Sequence, residues 1–315
     1  MTDQPRADMP PDAQAALEGT PSIRGERPLP LRQMGIGELI DAAVKLYRRD
    51  WLALIGIVGF VLVPVTFLQV WLSQGLLDAS LATPTPTPAS IQFFAVSIVF
   101  SLIQFLIVQP FLVAAITRAA ADAYLGEPVT IGGTYRYALR KLPAILWITL
   151  LTALVAIVAV IPGVILIVLG VVVGDVSGVL VIIVSVILLI VATALVFIRL
   201  AMAPPVLIVE NVGGTGALRR SWRMTRGSFW RLLGTIVLSG LIASVASLII
   251  TVPSELVAVL LGESGWIVSA LGTAFATVLI TPFSVLIVVL LYFDLRIRKE
   301  GFDIEVMAQE LAPAS

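Results

Sequence analysis

Apolar residues fall into six long blocks along this chain, and the polar stretches between them alternate between basic ones and ones with no basic residue. A helix rises about 1.5 Å per residue, so roughly 20 apolar residues cross a hydrocarbon core about 30 Å thick. Six blocks reach that length, running approximately from Trp51 to Leu72, Ile91 to Ile116, Pro143 to Val173, Val179 to Met202, Phe229 to Val252 and Trp266 to Phe293. The pattern predicts an all-α fold, a polytopic integral membrane protein with six transmembrane helices. Pro64, Pro110 and Pro282 lie inside spans, where each frees a carbonyl that a packed neighbour or a hydroxyl must satisfy, so the helices are expected to form a bundle. Pro162-Gly163 is expected to kink the third span or end it early.

The polar stretches give the topology. All 20 Lys and Arg lie before the first span, in or beside the segments joining spans two to three and four to five, or after span six. Only Arg199 and Arg231 fall inside a span, each near one end. The connections one-two, three-four and five-six carry Asp78, Asp175, Glu255 and Glu263 as their only charges. Basic loops stay in the cytoplasm, which puts both termini there. Residues 1–32 hold five acidic and four basic residues among six prolines, and are expected to be a disordered cytoplasmic tail. A transmembrane domain over 33–302 and a cytoplasmic carboxy-terminal tail over 303–315 follow. The first outer loop alternates Thr and Pro from Thr83 to Pro88, a stiff spacer.

One layout recurs three times. Gly37 precedes Trp51, Gly133 precedes Trp147 and Gly216 precedes Trp230, each by fourteen positions. In between, apolar residues take helical spacing: Ile36, Leu39, Ile40, Ala43, Leu46 and Tyr47 share a face in the first unit. Tyr135, Ala138, Leu139 and Leu142 do so in the second, and Leu218, Trp222 and Thr225 in the third, with charged residues elsewhere on each helix. Each unit thus predicts an amphipathic helix in the plane of the cytoplasmic headgroups. Every unit then contributes two spans, so the repeats, about 34–125, 130–210 and 213–302, are parallel hairpins, unlike the inverted repeats of many secondary transporters.

Composition narrows the chemistry. Charged residues make up 13% of the chain, against about 25% in a soluble domain. The absence of Cys and His removes thiol nucleophiles, disulfides, zinc sites built on those ligands and imidazole catalysis. A formal net charge of zero gives nucleic acid no basic surface to bind. The chain is therefore read as a non-enzyme without cofactor or metal.

Two features are candidate sites. Arg219, Arg220, Arg223, Arg226 and Arg231 crowd the start of the fifth span, a cluster that fits anionic headgroups and equally fits a bare topology signal. Gly213, Gly214 and Gly216 before them read as a flexible joint after Pro204-Pro205; no Walker sequence follows to make a nucleotide loop. Ser269, Thr273, Thr277, Thr281 and Ser284 recur along span six, with a shorter version in Ser97, Ser101 and Gln104 of span two. Such a stripe packs helices together or lines a polar pathway. No charged residue lies near the middle of a span, where ion-coupled transporters usually hold one.

The stretches Met34 to Trp51 (MGIGELIDAAVKLYRRDW) and Ala217 to Gly234 (ALRRSWRMTRGSFWRLLG) resemble a group of bacterial, largely actinobacterial, polytopic proteins. These are often described as the membrane domain of glycerophosphoryl diester phosphodiesterase, and the resemblance covers about residues 34–305. It implies a stand-alone six-span domain in the plasma (inner) membrane. It does not carry the phosphodiesterase activity, because the soluble barrel of those enzymes works with catalytic histidines and this chain has none. Three functions stay open. The favoured one is a non-catalytic protein that organises anionic membrane lipids, a protein partner or a second copy of itself through basic interfacial helices. The others are a permease or channel for an uncharged or amphiphilic solute, and a membrane subunit accessory to a separate lipid-metabolising enzyme. The first is favoured because the distinctive patterning sits at the interface while the spans are nearly uniform in Leu, Val, Ile and Ala.

Overall fold

Six helical stretches carry the apolar blocks, and each is long and apolar enough to cross a membrane: Trp51–Leu72, Phe94–Leu125, Ile131–Val173, Val176–Glu210, Phe229–Leu261 and Gly265–Glu300. A computed structural model describes residues 32–82, 88–126 and 128–301. The two expected tails, apart from Arg32, and residues 83–87 of the Thr-Pro loop lie outside these. No strand occurs among the described residues. In chain order the helices are α1 (Ile36–Arg49), α2 (Trp51–Ala82), α3 (Pro88–Ile103), a π-helical turn (Gln104–Val108) and α4 (Gln109–Leu125). They continue as α5 (Ile131–Val173), α6 (Val176–Leu200), α7 (Ala203–Glu210), α8 (Gly214–Met224), α9 (Phe229–Leu261) and α10 (Gly265–Glu300).

Local chemistry sets the boundaries. Gly174, at φ +70°, ends α5 and returns its N–H to the Gly170 carbonyl. Asp175 then caps α6, its carboxylate accepting from the Ser177 and Gly178 N–H groups. The Ser177 and Gly178 hydrogen bonds hold the Asp175 carboxyl below its usual range. In span two Pro110 has no N–H to give and its ring crowds the turn before it. The helix widens there into the π turn, closed by the Gln109 N–H on the Gln104 carbonyl.

Span three does not end at Pro162-Gly163; α5 continues to Val173. The glycines there admit a neighbour. A Cβ added to Gly163 would lie 3.0 Å from Leu189 Cδ1, and one added to Gly178 would lie 2.4 Å from the Gly170 carbonyl oxygen. Small residues bring α5 and α6 into backbone contact, as in tightly packed membrane helices.

The axis of the bundle is α10. Half of its apolar window is buried, against 28% or less in the other spans, and Val289 to Leu295 is buried on every side. Around it pack α1, α2, α4, α7, α8 and α9. Spans three and four pair, as do five and six. In the first of the three expected hairpins the two spans are not each other's main partners, because α2 packs chiefly on α10 and less on α3. Gly59 sits against Val278, and the Phe67 and Trp266 rings lie 5.3 Å apart, so the first span closes onto the last.

Two of the three expected interfacial helices are separate elements, α1 and α8. The second is the opening of α5. Asp50 ends α1 and Gly227, at φ +75°, breaks the chain after α8, whereas the second unit has Pro143 alone, which costs one hydrogen bond without turning the chain. Its first residues still run along one end of the bundle: Tyr135 donates to the Ile57 carbonyl (2.5 Å) and Tyr137 to that of Ile208 (2.8 Å). Nor does α1 turn its apolar face to headgroups. Leu39, Ala42, Ala43 and Leu46 are buried in the core, and the Tyr47 hydroxyl donates to the Leu279 carbonyl (3.0 Å), midway along α10.

Candidate functional site

Charge is scarce in this chain, and at one end of the bundle it gathers around α10. Asp294 is fully buried. One of its oxygens accepts the Met34 N–H (2.9 Å), and the other accepts from Arg231 of α9 and Arg298 of α10, both at 2.9 Å. Both arginines also donate to the Met34 carbonyl, Arg298 at 2.8 Å. A carboxylate taken out of water persists when it is paired and fully hydrogen-bonded, as this one is.

A second cluster adjoins it. Glu210, at the end of α7, pairs with Arg220 of α8 and accepts the Tyr292 hydroxyl (3.0 Å). Arg220 also reaches Glu300 (2.8 Å). Burial works against the Arg220 charge, but the two carboxylates hold its pKa above the ordinary value. Lys299 donates to the Met224 carbonyl (2.8 Å) and to that of Arg226, placing a cation at the carboxyl end of α8. The Ser221 hydroxyl donates to the Arg199 carbonyl (2.7 Å), and the Arg199 guanidinium lies over the Trp222 ring at 5.4 Å.

This packing divides the five clustered arginines. Arg220 and Arg231 are about three-quarters buried and held by carboxylates. Arg219, Arg223 and Arg226 are exposed, and their side chains meet no carboxylate among the described residues. The face of α8 that is buried holds Ala217, Ser221, Met224 and Thr225, while Trp222, expected on that face, is 41% exposed. Small side chains let α8 approach α6 and α7 closely and leave Trp222 at the rim. Trp51, Trp147 and Trp230 are exposed at the same end. Gly214 permits a close approach as well, since an added Cβ would lie 2.8 Å from Trp147 Cδ1.

The hydroxyl stripe of α10 turns back on its own helix. Thr277, Thr281 and Ser284 donate to carbonyls four residues earlier, at 2.7, 2.7 and 3.4 Å. Ser269 instead crosses to α9 and donates to Glu255 at 2.6 Å. No cluster of His, Cys, Asp or Glu fit to hold a metal occurs among the described residues. Sequence reasoning passed over Asp294, Glu210 and Tyr292. The available signal was a carboxylate inside the run Leu290 to Ile297 with Arg298 one helical turn beyond it.

Residues 34–295 match a family described as a domain of unknown function, DUF7847. The chain belongs to this family. The DUF7847 region opens at Met34 and closes just after Asp294, so the hydrogen bond between those two residues joins the ends of the domain. No curated protein and no solved structure matches the chain.

Proposed function

We propose that this DUF7847 protein is a non-catalytic, multi-pass protein of the plasma membrane that organises anionic lipid at its cytoplasmic face through Arg219, Arg223 and Arg226. The observation that carries this reading is the division of the arginine cluster. Two members are neutralised inside the protein, while three point outward and meet no carboxylate among the described residues, beside exposed Trp222 and Trp230, whose rings favour the headgroup layer. In this reading the basic end and both termini face the cytoplasm, and the three glycine-tryptophan units are remnants of a parallel repeat. The likeness to phosphodiesterase membrane domains fits the same role, in which lipid gathered here serves an enzyme on another chain. The permease reading has less support, because most of the stripe's hydroxyls bond to their own helix.

The test is to replace Arg219, Arg223 and Arg226 together by Gln and titrate the purified protein in mixed micelles with phosphatidylglycerol. At about 1 kcal/mol per basic residue the affinity should fall roughly a hundredfold, with the melting temperature little changed. The triple Lys variant should keep most of the binding. Equal affinity in the Gln variant and the wild type overturns the proposal.

A further inference from the structure

A second feature lies inside the bundle, away from the surface arginines. A cavity of about 590 Å³ opens between α4, α5, α6, α7 and α10, within the size range of small-molecule sites. Its walls are almost wholly apolar, with Val113, Ile148, Ala153, Ala156 and Val288 among them. Phe105 and Phe197, both more than half exposed, flank its side, so it opens laterally, toward the hydrocarbon of a bilayer. Along span two it extends from Phe105 to Thr117, about 18 Å of helix rise.

Two irregularities shape it. On one wall the π turn ahead of Pro110 sets Phe105 and Gln109 toward the space; π turns recur at functional sites. On the facing wall α6 breaks into α7 at Pro204-Pro205, prolines that have no N–H to offer the carbonyls of Leu200 and Ala201. The decisive atom is the Thr117 hydroxyl. Thr117 is 1% exposed, lines the cavity at the end nearer the basic side, and its Oγ1 has no hydrogen-bond partner among the described residues. By contrast, the Thr149 and Ser284 hydroxyls in the same lining are satisfied by their own helices. A buried hydroxyl without a partner carries an uncompensated desolvation penalty, which a ligand acceptor removes.

We propose that this cavity holds one acyl chain of a membrane glycerophospholipid, with its ester carbonyl accepting the Thr117 hydroxyl. Length, apolar lining and lateral mouth fit an extended chain entering from the bilayer, and the polar rim lies at the end where an ester belongs. Beyond that rim come Arg118, next in sequence, which pairs with Asp122 and lies over the Tyr137 ring, and Lys141, one turn before Ile145 of the lining, which donates to the Asn211 side chain; a lipid phosphate would share these cations with their present partners. The site does not depend on Arg219, Arg223 or Arg226.

The test uses the full chain in proteoliposomes containing phosphatidylglycerol with a photoactivatable diazirine in its acyl chain, followed by peptide mapping. Label should concentrate on Phe105 to Thr117 and Thr149 to Ala156, exceed that on the outward face of α5 between Val164 and Val172, and be displaced by excess unlabelled lipid. Ala153→Phe, which fills the space, should cut cavity labelling at least tenfold, and Thr117→Val several-fold; the triple Gln variant of α8 should leave it unchanged. Even, undisplaced labelling of the wild type overturns the proposal whatever the variants do. Crosslinks from cavity residues to a second copy in place of lipid overturn it as well, by assigning the groove to self-association.

Discussion

Helices α1 and α8 share one sequence plan, a glycine-led amphipathic segment ahead of a tryptophan, yet the protein uses them in opposite ways. On α1 the apolar face is large and aliphatic, with Leu39, Ala43 and Leu46 fully buried; Lys45 and Arg49 pair with Asp41 and Asp50, Glu38 takes Arg32 from the preceding turn, all at 2.7–2.8 Å, and Arg48 stays exposed. On α8 the buried face is small, Gly214–Met224 contains no acidic residue, and its outward arginines meet no carboxylate among the described residues. Amphipathicity alone therefore does not say how deeply a helix is set into the protein. Large aliphatic side chains and carboxylates on or beside the helix go with the deeper setting of α1; small buried residues and three exposed arginines go with the shallower setting of α8.

The comparison can be broken at its anchor. Asp294→Leu leaves Arg231, Arg298 and the Met34 N–H without their shared acceptor, and should cost about 3–5 kcal/mol, read as a large drop in melting temperature in detergent. A small drop would mean that α1 holds its place without the clamp. Next, Leu46→Ala should cost about 2–5 kcal/mol through the cavity it leaves, whereas Leu218→Ala on half-exposed ground should stay under about 1 kcal/mol in the same denaturant titration. Equal losses would erase the distinction between the two faces. Within α8 itself, Arg220→Gln strands Glu210 and should cost about 1–3 kcal/mol, while Arg223→Gln should fall within about 0.5 kcal/mol of wild type.

The smallest effect concerns pH. The Arg32 hydrogen bond, helped by the Gly35 N–H, holds the exposed Glu38 carboxyl below its ordinary value. A depressed carboxylate adds stability above its unfolded pKa, about 4.3, and loses it as the pH falls through the lower folded value. The melting temperatures of wild type and Glu38→Gln should accordingly differ slightly at pH 7 and converge as the solution is acidified below that range. A difference that persists at low pH would point to packing as its source.

Much of the fold was legible because the relevant signals are local. Apolar run length and the placement of Lys and Arg are properties of short windows, and all six predicted spans occur as helices. The central place of α10 was not legible, since its hydropathy resembles that of its neighbours and only long-range packing sets it apart. The unity of α5 was missed because Pro143 was taken as a boundary when nothing beside it turned the chain. At the candidate site the five arginines were visible, but their division was not: Glu300 lies 80 residues from Arg220 and Asp294 63 from Arg231, and Glu210, though near Arg220 in sequence, ends a different helix. Thr117 gave no sign at all, because a threonine in a span ordinarily bonds to its own helix.

The clamp on Met34 also orders events during synthesis. Its partner, Asp294, lies 260 residues downstream. At about 5–20 residues per second the ribosome needs on the order of tens of seconds to deliver it. Throughout that interval α1 lacks the carboxylate that holds Met34, and the latch closes only once α10 has left the tunnel. A nascent chain halted before α10 emerges therefore leaves the apolar face of α1 without the helix it chiefly packs on.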